Sequence, residues 1–306
     1  MSVVMPRMVH METTTFTLAS GRVVGVTEFG DPLSDRVVVF AHAAPGASRF
    51  DPDPAVTAAR DVRLIALDRA GYGRSEPLDD GPPSVARSAA DIAEYLAAQG
   101  IGPTGGGGAT VGAAGWSAGG RIALALAAAH PHLIERVALV GTPAPDTFVP
   151  WVGDDNRAML ESWRGMPLSS AVDSLKATFD GFAGAAPSGE SQLPQLANPE
   201  VDGDVLVTAH DRLVAMLDDA MLQGNLGVAT DIVSYTLMDL GFDPVHVAQR
   251  TLLLYGAKDP IGNAHASWYR SHLVDARVEM VPDRGHLLIV PLWDRVLSHL
   301  APGSKR

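Results

Sequence analysis

The sequence predicts an α/β protein built on a mainly parallel sheet with helices on both faces. Short β-branched runs alternate with Ala- and Leu-rich stretches at helical spacing through most of the chain, which is the pattern of strand–helix–strand units. Most of those runs are apolar throughout, as strands buried on both faces are. The size agrees: 306 residues, 46% of them apolar, can build one large α/β domain with an insertion, or two modest domains.

The elements follow in chain order. Residues 14–18 (TTFTL) and 23–29 (VVGVTEF) read as two strands joined by a tight turn at Ser20-Gly21-Arg22, and Gly30-Asp31-Pro32 closes the unit. Residues 36–41 (RVVVFA), 62–67 (VRLIAL), 109–113 (ATVGA), 136–140 (RVALV) and 251–255 (TLLLY) are expected as buried parallel strands. The last run, 277–281 (RVEMV), alternates and suits a sheet edge. Helices are expected over 85–99, with Ser84 as N-cap, and over 118–129, 264–273 and 291–300. Between 144 and 245 no strand pattern occurs; Pro-rich stretches at 143–150 and 187–199 flank helical segments such as 168–179 and 205–222. That divides the chain into a core of residues 1–143 and 246–306 and a helical insertion of residues 144–245. The Gly105–Gly108 run reads as a surface turn, because neither the dinucleotide nor the P-loop spacing surrounds it.

Composition removes several classes. With no cysteine, disulfides, thiolate catalysis and cysteine-ligated metals are excluded. A formal charge of −12 repels phosphate backbones, so nucleic acid is not an expected partner. No apolar run approaches the roughly 18 residues a membrane-spanning helix needs. The N-terminal MSVVMPRMVHMETTTF reads as a frayed tail rather than a signal peptide, and its several Met residues leave more than one candidate start. The expectation is a cytoplasmic protein acting on a small molecule with no metal and no cofactor; oligomeric state is not legible.

The sharpest motif is Gly115-Trp116-Ser117-Ala118-Gly119, lying between an expected strand and an expected helix. In that context the pattern is a nucleophile elbow: a strained turn presents the Ser117 hydroxyl, and small flanking residues let the chain pack closely. The amide of Ala118, at the helix N-terminus, is placed to stabilise an oxyanion. A serine hydroxyl needs a base. Of ten histidines, His286 lies in a loop just after the final strand. His130 and His132 end a helix, His210, His246, His265, His272 and His299 fall in or beside helices, and His10 is in the tail. Asp259, at the carboxyl end of TLLLY, is the expected partner that orients the imidazole. Asp283 is too close in sequence to His286, and Asp146 is a weaker substitute. The order Ser, Asp, His suits this arrangement. A second oxyanion donor is expected from Ala44, in the exit loop of strand 36–41.

With these residues assembled, the chain resembles the α/β-hydrolase superfamily over nearly its whole length. His42-Ala43-Ala44-Pro45-Gly46 is similar to the family's His-Gly-x-Pro-Gly oxyanion segment, and Asp68-Arg69-Ala70-Gly71-Tyr72-Gly73-Arg74-Ser75 to its loop after strand four. The resemblance implies a mostly parallel eight-stranded sheet, with residues 144–245 as a helical cap over the active site. It also implies a serine hydrolase that cleaves an ester or related carbonyl compound, small to medium and apolar, through an acyl-enzyme. His42, Trp116, Phe148, Trp151 and Trp163 are candidates to line the substrate pocket, with Trp116 as readily packing behind the elbow. Ser117 argues against the haloalkane dehalogenases and epoxide hydrolases, whose elbows carry Asp. Carbon–carbon bond hydrolases and cofactor-free perhydrolases use the same triad and remain alternatives. So does a ligand sensor with negligible turnover, because Ala43 replaces the usual Gly; if that position needs a positive φ, the methyl group costs about 1–2 kcal/mol. Arg284, beside the histidine, is expected at the surface, or else in contact with the substrate or with an acidic cap residue.

Overall fold

The computed structural model describes residues 12–78, 83–102, 111–184 and 186–303. Among the described residues eight strands form a single sheet: β1 (Thr14–Thr17), β2 (Val23–Gly30), β3 (Val37–Ala41), β4 (Arg63–Leu67), β5 (Val111–Trp116), β6 (Ile134–Val140), β7 (Arg250–Gly256) and β8 (Ala276–Val281). Their spatial order is β1-β2-β4-β3-β5-β6-β7-β8. β1 pairs antiparallel with β2, and β2 with β4; every other pairing is parallel. The fold class is the one the sequence predicts, and the alternating run at β8 does lie at an edge. The Gly105–Gly108 run, His10 and the N-terminal tail lie outside the described residues.

The helices are α1 (Pro54–Ala59), α2 (Val85–Ala98), α3 (Gly119–Ala129), α4 (Asp154–Ser162), α5 (Leu168–Ala183), α6 (Gly189–Gln192), α7 (Pro199–Ala220), α8 (Leu226–Thr236), α9 (Asn263–His272) and α10 (Trp293–Leu300). The Ser84 hydroxyl accepts from the Arg87 amide and so caps α2. Period-two alternation along β3 sends Val37, Val39 and Ala41 into a core shared with α2, α3 and α9, and Val38 and Phe40 into one shared with α7 and α10.

Among the described residues no strand lies between β6 and β7. Helices α4, α5 and α8 share an apolar cluster of their own built on Leu160, Ala171, Leu175, Ala229 and Val233. Helix α7 behaves differently. Its Val205, Ala209, Leu213, Met216 and Leu217 are buried in the second core of the sheet, so this part of the helical segment is as much core as insertion. Sequence pattern passes over α8 because LGVATDIVSYT is β-branched and carries a glycine. Tertiary packing overrides that preference: a Cβ on Gly227 would lie 2.5 Å from the Tyr72 ring, so only glycine lets α8 approach the loop after β4.

Candidate active site

β5 runs on to Trp116, three residues beyond its expected end, and delivers Ser117 directly into the turn before α3. Ser117 has a φ of 53°, a left-handed conformation that strains a residue with a Cβ. The turn is held by the Ser117 amide donating to Val140 O at 2.8 Å and by Gly120 N–H donating to Ser117 O at 3.1 Å. Its sharpness demands small neighbours. A Cβ on Gly115 would stand 2.4 Å from the Gly119 and Gly120 backbone, and one on Gly119 would stand 2.0 Å from Ala41 O.

Across the sheet, β7 ends at Gly256 and the following loop carries Asp259, whose side chain is 1% exposed. Its Oδ1 accepts from the Ile261 amide at 2.9 Å, and its Oδ2 lies 2.7 Å from His286 Nδ1. Burial works against the charged imidazole, but the charge and hydrogen bond of Asp259, joined by the charge of Asp202, outweigh it and hold the His286 pKa above its ordinary value. Trp116 donates its indole N–H to His286 O at 3.0 Å, pinning the backbone that bears the ring. The Ser117 hydroxyl has no hydrogen-bond partner among the described residues. It lines the same cavity as Asp259 and His286, of about 310 Å³. Serine–imidazole bonds of this kind commonly tighten only around a substrate.

Gly141 makes the pair possible. It leaves β6 with a φ of 56°, and a Cβ there would lie 3.2 Å from the imidazole and 3.3 Å from Asp259 Oδ2. Gly141→Ala is therefore expected to destabilise the fold by about 1–2 kcal/mol through backbone strain and crowding. Calorimetry checks this, and an unchanged melting temperature would show that the site tolerates the methyl group.

Ala44 and Ala118 both line the cavity. Among the described residues neither amide donates to a protein acceptor. Ala43 is not in the left-handed region; among the described residues only Asp61, Ser117 and Asp283 are non-glycine residues with positive φ. Its methyl group is buried in the core and carries no conformational penalty. The concern that this substitution displaces Ala44 therefore falls away, and with it the feature that motivated a sensor.

Of the five residues considered for the pocket wall, the cavity beside Ser117 takes Trp151 alone. His42 is fully buried beneath the loop that bears Ala44. Trp116 is fully buried against Phe50 and spends its N–H on His286 O. Phe148 is 67% exposed and stacks on Trp268 beside a different cavity, and Trp163 packs against the apolar cluster of α4, α5 and α8. Asp146 accepts from the amides of Trp151 and Val152 at 2.8 Å, and so shapes the start of the helical segment. Asp283 is exposed. Arg284 pairs with Asp204 of α7.

Sequence reading passed over Asp202, on the first turn of α7. It is 1% exposed, lines the cavity, and accepts from the amides of Asn198 at 3.0 Å and Leu287 at 3.4 Å. Burial and the like charge of Asp259 raise its pKa. The only sequence signal is Asn198-Pro199 ahead of it, which marks a helix start and nothing about His286. The segment Pro194–Asn198, with Ile232 and Tyr235 of α8, completes the wall. Among the described residues no three His, Asp or Glu side chains converge as a metal ion would need, and no helix is long and apolar enough to cross a membrane.

A family model for the alpha/beta hydrolase fold matches residues 36–291. The chain belongs to that family. It is 29% identical over 177 residues to a pimeloyl-(acyl-carrier protein) methyl ester esterase of Aromatoleum aromaticum, a match covering 56% of this chain and 65%, just under two thirds, of that one. Solved structures of similar fold include a hydrolase from Pseudomonas aeruginosa (TM-score 0.67, 20% identity, 95% of this chain and 99% of that one). They also include the enol-lactonase from Burkholderia xenovorans (0.64, 20%, 93% and 97%) and an esterase from Exiguobacterium antarcticum (0.65, 19%, 96% and 100%).

Proposed function

We propose that the chain is a serine esterase acting through an acyl-enzyme on small to medium, largely apolar esters. The observation that carries this is Ser117 on its strained elbow, sharing one cavity with an imidazole bonded at 2.7 Å to a buried carboxylate. In the reaction, His286 Nε2 takes the hydroxyl proton as Ser117 Oγ attacks the ester carbonyl carbon. The amides of Ala44 and Ala118 hold the oxyanion. The tetrahedral intermediate collapses with cleavage of the carbonyl–alkoxy bond, and the imidazolium returns its proton to the departing alcohol. His286 then takes a proton from water, whose oxygen attacks the acyl carbon; the second tetrahedral intermediate collapses with cleavage of the acyl–Oγ bond, and the imidazolium returns the proton to Ser117 Oγ as the acid leaves. Asp259 keeps the Nδ1–H tautomer and stabilises the imidazolium.

Residues 144–245 act as the cap in this reading, and Trp151, Leu196, Ala197 and Ile232 give the cavity its apolar wall. A volume of about 310 Å³ suits a short acyl or single-ring substrate and crowds a long chain. Incubation with a fluorophosphonate is expected to label wild type and leave Ser117→Ala unlabelled. In a p-nitrophenyl ester series, kcat/KM is expected to peak at short acyl chains. Absence of labelling in folded protein would remove the nucleophile assignment; a maximum at long acyl chains would remove the substrate class.

A further inference from the structure

We propose that Arg69, His42 and Asp231 form a positioning network that aims the Ala44 amide at the reacting oxygen, with the helical segment supplying its anchor. This rests on the serine esterase reading and extends it to residues that touch no substrate. The Ala44 N–H and the Ala43 carbonyl belong to one planar peptide unit, in which the two point in opposite directions. Whatever fixes that carbonyl therefore fixes the amide. Two donors do so: His42 Nδ1 and Arg69 Nη2 each lie 2.8 Å from Ala43 O. The histidine tautomer is settled by its other nitrogen, because Nε2 accepts from the Arg69 backbone amide at 3.3 Å and the ring proton must sit on Nδ1. Burial, and then the neighbouring Arg69 charge, hold the His42 pKa well below its usual value, so the ring stays neutral and in that tautomer.

Arg69 is fixed as firmly as what it fixes. Its Nη1 donates to His42 O at 2.6 Å, and its Nε and Nη2 meet the Asp231 carboxylate at 3.1 and 2.6 Å. All three guanidinium nitrogens are thus engaged on a side chain 5% exposed. Asp231 belongs to α8, which is seated on the same loop by the Gly227–Tyr72 contact and by Gln223 Nε2 donating to Gly73 O and Ser75 O. A cationic donor on the Ala43 carbonyl also polarises the peptide unit, strengthening Ala44 N–H as a donor.

The test uses Arg69→Lys, Asp231→Asn and the pair His42→Phe and His42→Asn. It reads kcat, KM, melting temperature and inhibition by an aryl trifluoromethyl ketone, which forms a tetrahedral adduct, against its methyl ketone, which serves as a ground-state ligand. Lysine keeps the charge but has one ammonium where the guanidinium serves three acceptors. In Arg69→Lys and Asp231→Asn, kcat is expected to fall about 10–100-fold with KM nearly unchanged, the loss of a misaimed oxyanion donor. Trifluoromethyl ketone affinity should fall by the same factor and methyl ketone affinity should hold. If Arg69→Lys does not fold, the histidine pair decides: His42→Phe loses rate and His42→Asn, whose side-chain N–H stands near Nδ1, recovers part of it. Folded variants with wild-type kcat and trifluoromethyl ketone affinity overturn the proposal. So does parallel loss of kcat, KM and both ketones, which marks general collapse of the pocket. A wild type with no Ser117-dependent labelling and no esterase activity overturns the function itself, and the network with it.

Discussion

Ser117→Ala is expected to lower kcat on a p-nitrophenyl ester by about 10⁵–10⁶-fold while leaving the protein folded with a near-native melting temperature. In the proposed mechanism the rate falls because alanine has no nucleophile to form the acyl-enzyme, and the proposed oxyanion donors alone support only weak attack by water. Stability is spared because the strain at this position comes from a Cβ at a φ of 53°, which alanine retains. Glycine separates the two effects. Ser117→Gly is expected to be as inactive as Ser117→Ala yet more stable by about 1 kcal/mol, since it has no Cβ to resist the left-handed turn. Active-site titration with calorimetry on the three proteins checks both halves. Turnover in Ser117→Ala within ten-fold of wild type would place the nucleophile elsewhere.

Asp259→Asn is expected to cost about 10⁴-fold in kcat with little change in fold. The geometry says why an isostere fails. Oδ1 of residue 259 accepts from the Ile261 amide, a bond an asparagine oxygen can keep. Its NH₂ then occupies the position of Oδ2, 2.7 Å from His286 Nδ1, and donates where the carboxylate accepts. The ring proton is driven to Nε2, the nitrogen that must be free to take the proton of Ser117. The pH profile carries a second signature. In the proposed mechanism catalysis needs the neutral imidazole, so kcat/KM is expected to rise as pH passes upward through the His286 pKa and to be lost below it. In wild type that limb lies above the ordinary histidine value, because the charges of Asp259 and Asp202 outweigh burial. Without the Asp259 charge the limb should move to lower pH. A limb that stays put would assign the field to Asp202, the other carboxylate facing the ring.

What was legible from sequence was local. The elbow announces itself because strand, tight turn and helix are consecutive, and the spacing of Gly115 and Gly119 is the steric requirement written in the chain. Asp259 and His286 could be picked because each follows a strand whose carboxyl end must open on the same edge of the sheet. Of the pocket wall, Trp151 was legible and the other four candidates were not. Phe148 and Trp163 are large and apolar, as wall residues are, but their direction depends on how α4 and α8 dock, which pattern does not encode. His42 and Trp116 sit in the right loops yet point beneath them, one to its own Ala43 carbonyl and the other to the carbonyl of His286. Asp202 was invisible for the converse reason: it lies just ahead of the helical segment expected at 205–222, and only α7 laid against Leu287 gives its carboxylate a place. Ala43 looked costly only while its backbone angle was unknown.

The contacts of Asp202 and Asp231 bear on redesign. Specificity in proteins of this shape invites chimeras, in which the segment between β6 and β7 is transplanted whole from a relative. Here such a graft removes the carboxylate that receives the Leu287 amide and the one that neutralises Arg69. The guanidinium would be stranded in the interior without its counter-ion, at a cost of about 3–5 kcal/mol. Altered substrate range is better sought by single replacements at Trp151, Leu196 or Ile232, which face the cavity and anchor nothing charged.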